Sequence, residues 1–290
     1  MKVIIPSYQR PDALTTPYLK VFNNFDKYIL VHNKQELSEY KKHNPSLNII
    51  CTDIDTNLGG GLPRQRKWAI DNLVNDNEWI VFADDNIKEI HGIINDTWLK
   101  DEIFEPNLND WGNLNVQQFA ERIEFLCNYA NEVNAYHIGF LPAHNYYFAR
   151  KKIKHYGFCM GKMTMWKKDK NFKWNNLYIS AMEDFNHTAL HLINYGIVII
   201  HDYLYPHAYH YQKGGIGSKK DRKPIRVNSI KLLTTLYPDL IKKKFRKDGY
   251  PDARIVYMSK KNFINWRNKY INFTKEYTFD IDNVRWVKND

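Results

Sequence analysis

The stretch that most constrains the fold is an apolar run that ends at two carboxylates and an amide. The apolar residues 80–83 are followed directly by Asp84, Asp85 and Asn86. Such a run, bounded by polar residues, predicts a strand buried on both faces of a parallel sheet. Ligands of open α/β sheets bind at the carboxyl ends of strands, so these side chains lie where a site is expected. Adjacent carboxylates favour a hard cation such as Mg²⁺ or Mn²⁺, although a strand turning through an Asp- and Asn-rich loop has the same composition.

The flanking sequence repeats a strand–helix pattern. Apolar segments at 2–5, 28–32 and 47–51 predict three strands, and the polar segment 34–42 predicts a helix between them. This order implies right-handed crossovers and a parallel sheet. Later segments predict, in chain order, a polar insertion over 88–115, a helix over 116–131, a strand over 136–141, a helix over 183–195, a strand over 197–200 and a helix over 227–236. The predicted fold class is α/β, with a mainly parallel central sheet flanked by helices.

The loop after the first strand carries groups that suit a nucleotide. Pro6 stiffens this loop, and Ser7, Tyr8 and Arg10 present a hydroxyl, an aromatic face and a guanidinium. These groups can bind a ribose, a base and a phosphate. They are equally compatible with an ordinary surface loop.

A glycine-rich turn precedes the next predicted helix. Gly60 and its two glycine neighbours allow close backbone approach to a ligand, and Arg64 and Arg66 follow at the start of a helix over 64–73. The Gly-Lys-Ser/Thr ending of a Walker loop is missing. The arginines favour diphosphate binding over the alternative of a flexible turn before a surface helix.

A second acidic pair opens the helix over 183–195. Glu183 and Asp184 complement the helix dipole there, but a carboxylate held rigidly by the backbone can also act as a general base. Downstream, His207 and His210 are spaced to supply a nitrogen ligand to a metal, whereas a histidine is more often structural.

Positive charge is concentrated at the C-terminal end of the chain. Residues 213–290 contain twenty Lys or Arg against eight Asp or Glu, a net charge of +12, whereas residues 1–212 carry −2. Because such side chains release counterions when they neutralise phosphates, this asymmetry favours nucleic acid as a partner over a merely solvated surface. The candidate DNA contacts are Lys219, Lys220, Arg222, Lys242, Lys243, Lys244 and Arg246.

Composition excludes several classes of protein. The chain has 290 residues, of which 43% are hydrophobic and 15% aromatic, and this excludes wholesale disorder. It contains no run of ~18 apolar residues, so neither a membrane span nor a membrane partner is predicted. Cys51, Cys127 and Cys159 lack metal-ligand spacing, which predicts a reducing, cytoplasmic location.

In their order along the chain, these motifs resemble the GT-A fold of nucleotide-sugar glycosyltransferases. The matching features, which extend over residues 2–210, are the Ile-Pro-Ser-Tyr loop, the glycine-rich turn with its arginines, the Asp-Asp-Asn strand end, the Glu-Asp helix start and the downstream histidine. The Asp-Asp-Asn-Ile ending and the basic surroundings are most similar to the DNA-modifying members, the TET-associated glycosyltransferase group. The chain departs from the usual Asp-X-Asp motif at Asn86.

The resemblance implies a role for each motif. The donor-binding residues would be Pro6, Ser7, Tyr8, Arg10, Gly60, Arg64, Arg66 and Asp84. Asp184, with Glu183 as the alternate, would accept the proton of the acceptor hydroxyl. A divalent cation, Mn²⁺ or Mg²⁺, would be held by Asp85 with His207 or His210.

The same resemblance implies domain boundaries and a function. Residues 1–212 would form the GT-A domain, with a donor half of about 1–87 and an acceptor half of about 88–212, and residues 213–290 a basic helical extension that contacts DNA. The enzyme would transfer a sugar from a nucleotide sugar, a UDP-sugar foremost, to 5-hydroxymethylcytosine in double-stranded DNA or to a sugar already on that base.

Three other functions remain open at this point. A glycosyltransferase of the same fold could act on protein or cell-envelope glycan, with the basic tail at an anionic membrane surface. A nucleotidyltransferase or nuclease could use Asp84, Asp85 and Glu183 around two metal ions. An inert DNA-binding module is the third alternative, and carboxylates at strand ends argue against it.

Overall fold

The computed structural model describes residues 1–12, 20–54, 61–95, 108–142, 149, 153–175, 177–208 and 218–289. In this part of the chain the strands are β1 Lys2–Pro6, β2 Asp26–Val31, β3 Asn48–Cys51, β4 Trp79–Ala83, β5 Ile87–Ile93, β6 Trp111–Asn113, β7 His137–Phe140, β8 Ile153–Lys154, β9 Met163–Lys167, β10 Ile199–His201, β11 Leu204–Ala208, β12 Ile241–Phe245, β13 Pro251–Ile255, β14 Tyr277–Asp280 and β15 Arg285–Lys288. The helices are α1 Lys34–His43, α2 Gly61–Leu73, α3 Val116–Glu132, α4 Glu183–Tyr195, α5 Lys219–Leu236 and α6 Lys260–Glu276.

The α/β prediction is confirmed, with a mixed central sheet of eight strands. Its order is β3-β2-β1-β4-β9-β7-β10-β8. The first four strands are mutually parallel, as is the pair β7–β10, whereas β9 is antiparallel to both β4 and β7, and β8 to β10. The sheet is therefore less parallel than predicted. A strand buried on both faces has the same apolar pattern in either direction, so its sequence does not report which way it runs.

The core forms on both faces of this sheet. All five residues of β4 are buried, as the apolar run predicts. Helix α3 covers one face, because Phe119, Ile123 and Leu126 fall at helical spacing and pack in the same cluster as Val3 and Ile5 of β1. Side chains of α2, among them Ile70, pack against the other face. The sheet is thus held rigid, and its strand ends have fixed positions.

A second sheet occupies part of the segment predicted to be a polar insertion. Strand β5 lies between β11 and β6, antiparallel to both. The prediction of a polar insertion over 88–115 was wrong for residues 88–93 and 111–113, which lie in strands β5 and β6. Apolar residues fall there at Ile87, Ile90 and Ile93, a spacing of three that is not the alternation of a strand. A register shift opposite His207 and Ala208 brings Ile87 and Ile90 into one hydrophobic cluster, whereas Ile93 packs in another.

The C-terminal residues share a hydrophobic core with the preceding part of the chain. Leu233 of α5 belongs to the same buried cluster as Phe185 of α4, and the Tyr237 hydroxyl donates a hydrogen bond to Asn186 Oδ1 at 2.6 Å. The segment also contains the hairpins β12–β13 and β14–β15. It is therefore a mixed α/β layer packed on α4 rather than a purely helical extension. None of the helices in the described part of the chain has the length and apolar character needed to cross a bilayer.

Candidate functional site

A cavity of about 1160 Å³ opens where the carboxyl ends of β1 and β4 meet the first turn of α4 and the hairpin β12–β13. The two acidic pairs, which are about a hundred residues apart in sequence, both line it: Asp84 and Asp85 after β4, and Glu183 and Asp184 on α4. We call these four carboxylates the acidic floor. The loop after β1 lines the same cavity.

Asp85 holds the loop after β1 in place. Its Oδ2 accepts a 2.6 Å hydrogen bond from Ser7 Oγ, and its Oδ1 pairs with Arg10 Nη1 at 2.6 Å. Both side chains of the ion pair are nearly inaccessible to solvent. Tyr40 of α1 completes the group, because its hydroxyl lies 2.6 Å from Ser7 Oγ and accepts from the Arg10 N–H at 2.9 Å. The carboxylate predicted to hold the cation therefore has both of its oxygens engaged by protein donors.

Asp84 faces the cavity more openly. Its side chain is 33% exposed, and Arg66 Nη2 lies 3.7 Å from its Oδ1. Burial raises the pKa of Asp84 to about 7, with the Arg66 guanidinium opposing this rise and the other three carboxylates of the acidic floor adding to it. Asp84 thus has an open side toward the cavity, and its charge is only partly compensated by Arg66.

The first turn of α4 presents the second acidic pair from a constrained backbone. Met182, which precedes it, has a left-handed conformation with φ of 66°. This conformation is uncommon for a non-glycine residue and is found preferentially at functional sites. Asp184 accepts hydrogen bonds from the Gly161 and Phe185 N–H groups at 3.2 and 3.0 Å. Burial, followed by repulsion from Glu183, raises the pKa of Asp184.

Arg66 joins the two acidic pairs. Its side chain is 1% exposed, and its guanidinium lies 3.3 Å from Glu183 Oε1 and 3.7 Å from Asp84 Oδ1. Nη2 also donates to the Gly161 carbonyl oxygen at 2.7 Å. A single buried cation therefore partly neutralises one carboxylate of each acidic pair.

The remaining predicted donor residues divide into two groups. Pro6, Ser7, Tyr8 and Arg10 all line the cavity, and the Tyr8 ring stacks on His32 with centroids 4.8 Å apart. The Arg64 guanidinium instead lies 4.5 Å above the Tyr178 ring, and Arg64 is not among the residues that line the cavity. Gly60 lies outside the described residues.

The predicted histidine ligands are not brought together with Asp85 in the described part of the chain. His207 lies on β11 beside Glu89 and His91 of β5, and this trio has ligand atoms within 4.8 Å of one another. Asp85 is not in that group, because its carboxylate is bound by Ser7 and Arg10. His210 lies outside the described residues.

Cations of the C-terminal segment line the same cavity as the acidic floor. We call them the basic rim: Arg222, Arg226, Lys244, Arg246 and Arg254. Asp252 pairs with three of them, Arg226, Lys244 and Arg246, so the rim keeps a net positive charge. The backbone N–H of Ala253 and the Arg226 guanidinium outweigh burial and hold the pKa of Asp252 below its usual value.

The other predicted DNA contacts lie on the same segment but do not line the cavity. Lys242 and Lys243 are exposed on β12, and Lys220 is exposed in the first turn of α5. Lys219 is the first residue of α5, and its side chain lies outside the described residues.

Sequence patterns did not identify three cavity cations, Lys162, Arg226 and Arg254. Lys162 is the most informative, because its carbonyl oxygen accepts from the Asp84 N–H at 2.7 Å and its side chain is 9% exposed. Burial lowers the pKa of Lys162, and the charge of Asp84 opposes this. The signal that could have found it is topological: Lys162 precedes β9, and an antiparallel neighbour of β4 begins where β4 ends.

No protein-family model matches the chain, and no curated protein sequence matches it. The function must therefore be argued from the site alone.

Proposed function

We propose that the protein is a glycosyltransferase that moves a sugar from a nucleotide-sugar donor to a hydroxyl on DNA, either that of 5-hydroxymethylcytosine or that of a sugar already attached to this base. One observation carries the proposal: the acidic floor and the basic rim line a single cavity. At about 1160 Å³ the cavity exceeds the usual size of a small-ligand pocket, which suits two substrates bound at once.

The loop after β1 supplies a side of the cavity suited to a nucleotide. The partly exposed Tyr8 ring can stack on a base, and His32 supports it from behind. Lys162, which also lines the cavity, offers an ammonium group to a diphosphate. Positive charge placed where a sugar–phosphate bond breaks stabilises the charge that develops on the departing diphosphate.

The acidic floor also fits a divalent cation. Asp84 has an exposed side, and burial together with the nearby carboxylates raises its pKa, so a hard cation would relieve the repulsion among these carboxylates. Asp84 with Glu183 would hold Mn²⁺ or Mg²⁺, and Asp85 would anchor Ser7 and Arg10. A bound cation would supply further positive charge to the departing diphosphate.

Asp184 is the residue that we propose accepts the proton of the acceptor hydroxyl. The Gly161 and Phe185 N–H groups fix its carboxylate at the start of α4, so its direction is set by the backbone. The raised pKa makes it a stronger base than an exposed aspartate. Glu183 is less available, because it pairs with Arg66.

The basic rim is where DNA would enter. Its cations can neutralise backbone phosphates while a base extends toward the acidic floor. Tyr257, which lines the cavity and is 86% exposed, presents an aromatic face on which a displaced base can stack. In this arrangement the displaced base would face the acidic floor, and the DNA backbone phosphates would contact the basic rim.

The test is an incubation of the protein with 5-hydroxymethylcytosine DNA, a panel of UDP-sugars and Mn²⁺. We expect a mass increase of one sugar per modified base and none on unmodified cytosine DNA. Replacing Asp184 by Asn should lower the transfer rate by about 10²–10⁴-fold, the usual contribution of a general base. Asp71→Asn is the matched control, because Asp71 is an exposed carboxylate on α2 that pairs only locally with Lys67.

Three results would count against the proposal. Full activity in Asp184→Asn would remove the assigned base. Release of pyrophosphate or strand cleavage would favour a nucleotidyltransferase or nuclease. Transfer to glycan acceptors but not to DNA would agree with the proposed donor site and contradict the proposal that DNA is the acceptor.

A further inference from the structure

A second cluster of chemically active side chains lies on the three-stranded sheet, away from the cavity. Glu89 and His91 are two residues apart on β5, so both side chains project from the same face of the sheet. His207 of β11 is directly opposite Glu89 in the antiparallel register, which places it on that face too. None of the three is among the residues that line the cavity.

The spacing of these side chains suits a common ion. Glu89 Oε2 lies 2.8 Å from His91 Nε2 and 3.6 Å from His207 Nδ1, and the three ligand atoms are all within 4.8 Å of one another. Ligand atoms about 2.0–2.2 Å from a tetrahedral metal lie about 3.4 Å apart. Small rotations of the side chains would bring the trio to that separation without moving the strands.

Two imidazoles and one carboxylate form a donor set that selects transition metals over Mg²⁺ or Ca²⁺, which prefer oxygen ligands. The neighbouring strand supports the set, because Asn113 of β6, opposite His91, hydrogen-bonds to Glu89. Such outer partners orient metal ligands. The Glu89, His91 and His207 side chains are 40%, 18% and 34% exposed, which leaves the site open to an entering ion and to further ligands from solvent.

We propose that Glu89, His91 and His207 form a transition-metal site of the Zn²⁺ class, distinct from the cation proposed for the acidic floor. A metal there would tie β5 to β11. Because β5 begins two residues after Asp85, the site would stiffen the strand that follows the acidic pair. The inference stands on these three residues and does not depend on the proposed function.

The test uses the full chain without a polyhistidine tag, freed of metal and titrated with Co²⁺. Co²⁺ occupies zinc sites and reports imidazole ligation in its visible absorption, and Zn²⁺ should then displace it. We expect one equivalent to bind with the visible absorption of imidazole ligation, separate from the ion of the acidic floor, and the unfolding temperature to rise with Zn²⁺ concentration as mass action requires. In the double variant His91→Ala/His207→Ala, the affinity should fall by more than about tenfold, and the thermal shift should disappear.

The controls separate this site from the others. His155→Ala removes an exposed histidine that stacks on Tyr129, and it should bind Co²⁺ as the native protein does. Asp84→Asn, in the acidic floor, should also bind Co²⁺ with the same imidazole absorption as the native protein.

If the double variant does not fold, Glu89→Gln tests the same site, because it keeps the side-chain shape and removes the charge. Absence of Co²⁺ binding to the native protein, or equal binding by the double variant, would leave only a Glu–His ion pair and overturn the proposal. Loss of binding in Asp84→Asn alone would place the ion in the cavity and do the same.

Discussion

Asp84 and Asp85 are adjacent in the chain, yet their surroundings differ sharply. Asp85 is paired with Arg10 and Ser7, whereas Asp84 shares Arg66 with Glu183 and keeps a third of its side chain exposed. The resemblance predicted the opposite division, with Asp85 on the cation. Successive residues at a strand end project in different directions, and the sequence does not say which one turns toward the ligand.

The raised pKa of Asp84 predicts how stability depends on pH. A carboxyl group whose pKa is about 7 in the folded protein and about 4 when unfolded binds more protons when folded, so stability falls as pH rises between these values. Asp84→Asn removes the charge and should raise the free energy of unfolding at about pH 8 by about 1–2 kcal/mol, a value reduced for the solvent that reaches the carboxylate. The gain should vanish near pH 4. Urea unfolding in chelator-containing buffer measures both.

The control for this pH dependence is Asp71→Asn, an exposed position whose ion pair with Lys67 lies within one helix. We expect differences of less than about 0.5 kcal/mol from it at both pH values. A gain of equal size at pH 4 and pH 8 in Asp84→Asn would show that lost packing or a new hydrogen bond, not the buried charge, sets the effect.

Among the elements, β7 determines where the loop over 159–161 can lie. A Cβ added at Gly139 of β7 would lie 2.7 Å from Cys159 Cα, so the backbone itself would have to move. The loop carries Gly161, which contacts both Arg66 and Asp184. Gly139→Ala should therefore lower the free energy of unfolding by about 1–3 kcal/mol in urea titrations, the usual cost of overpacking.

Gly112→Ala on β6 is the matched strand control. Its added Cβ would approach only the flexible Ile94 side chain, at 3.1 Å, so the loss should stay below about 1 kcal/mol. If Gly139→Ala and Gly112→Ala both unfold at the same urea concentration as the native protein, the loop over 159–161 can move at little cost in free energy. In that case β7 does not fix its position.

The elements also show what the sequence could predict. The apolar run of β4 and the helical spacing of α3 are local patterns, and both are observed. The end of α4 at Gly196 was equally predictable, since that residue has φ of 80° and closes the helix through a hydrogen bond to Leu192. Strand β5 was missed because its apolar residues are three apart, owing to the register shift after Ile87 and to the packing of Ile90 and Ile93 in different clusters.

The site was predictable only in part, because local patterns do not show which side chains meet in the folded protein. Arg64 and Arg66 were treated as one donor-binding pair, but residues two apart on a helix point about 200° away from each other. Only Arg66 reaches the acidic floor, and Arg64 lies against Tyr178. Lys162 and the basic rim reach the cavity through tertiary packing, which no local pattern encodes.

At the scale of the whole molecule, the negative and positive side chains of the cavity come from different segments of the chain. The acidic floor lies in the part of the chain with a net charge of −2, and the basic rim belongs to the segment with +12. Because the two segments share a core, this separation is built into the fold. A polyanion is attracted by the basic rim and repelled by the acidic floor, and these two forces would orient it as it approaches the cavity.

This arrangement predicts that the salt dependence of DNA binding is set by where the cations lie on the protein and not only by its net charge. The triple variant Lys244→Ala/Arg246→Ala/Arg254→Ala removes three cations of the basic rim. If each contacts a phosphate, the slope of log K against log salt concentration should decrease by about 2.7, because each contact contributes about 0.9. Fluorescence anisotropy with labelled duplex, between about 50 and 200 mM salt, measures the slope.

The control for this variant removes the same charge elsewhere. Lys260, Lys261 and Lys269 are exposed on α6 and do not line the cavity, so replacing all three by Ala should change the slope by less than about one unit. Equal decreases in both variants would mean that DNA responds to total charge alone. An affinity of the native protein that does not fall with salt would exclude phosphate contacts at the rim, and with them the DNA acceptor that the proposed function requires.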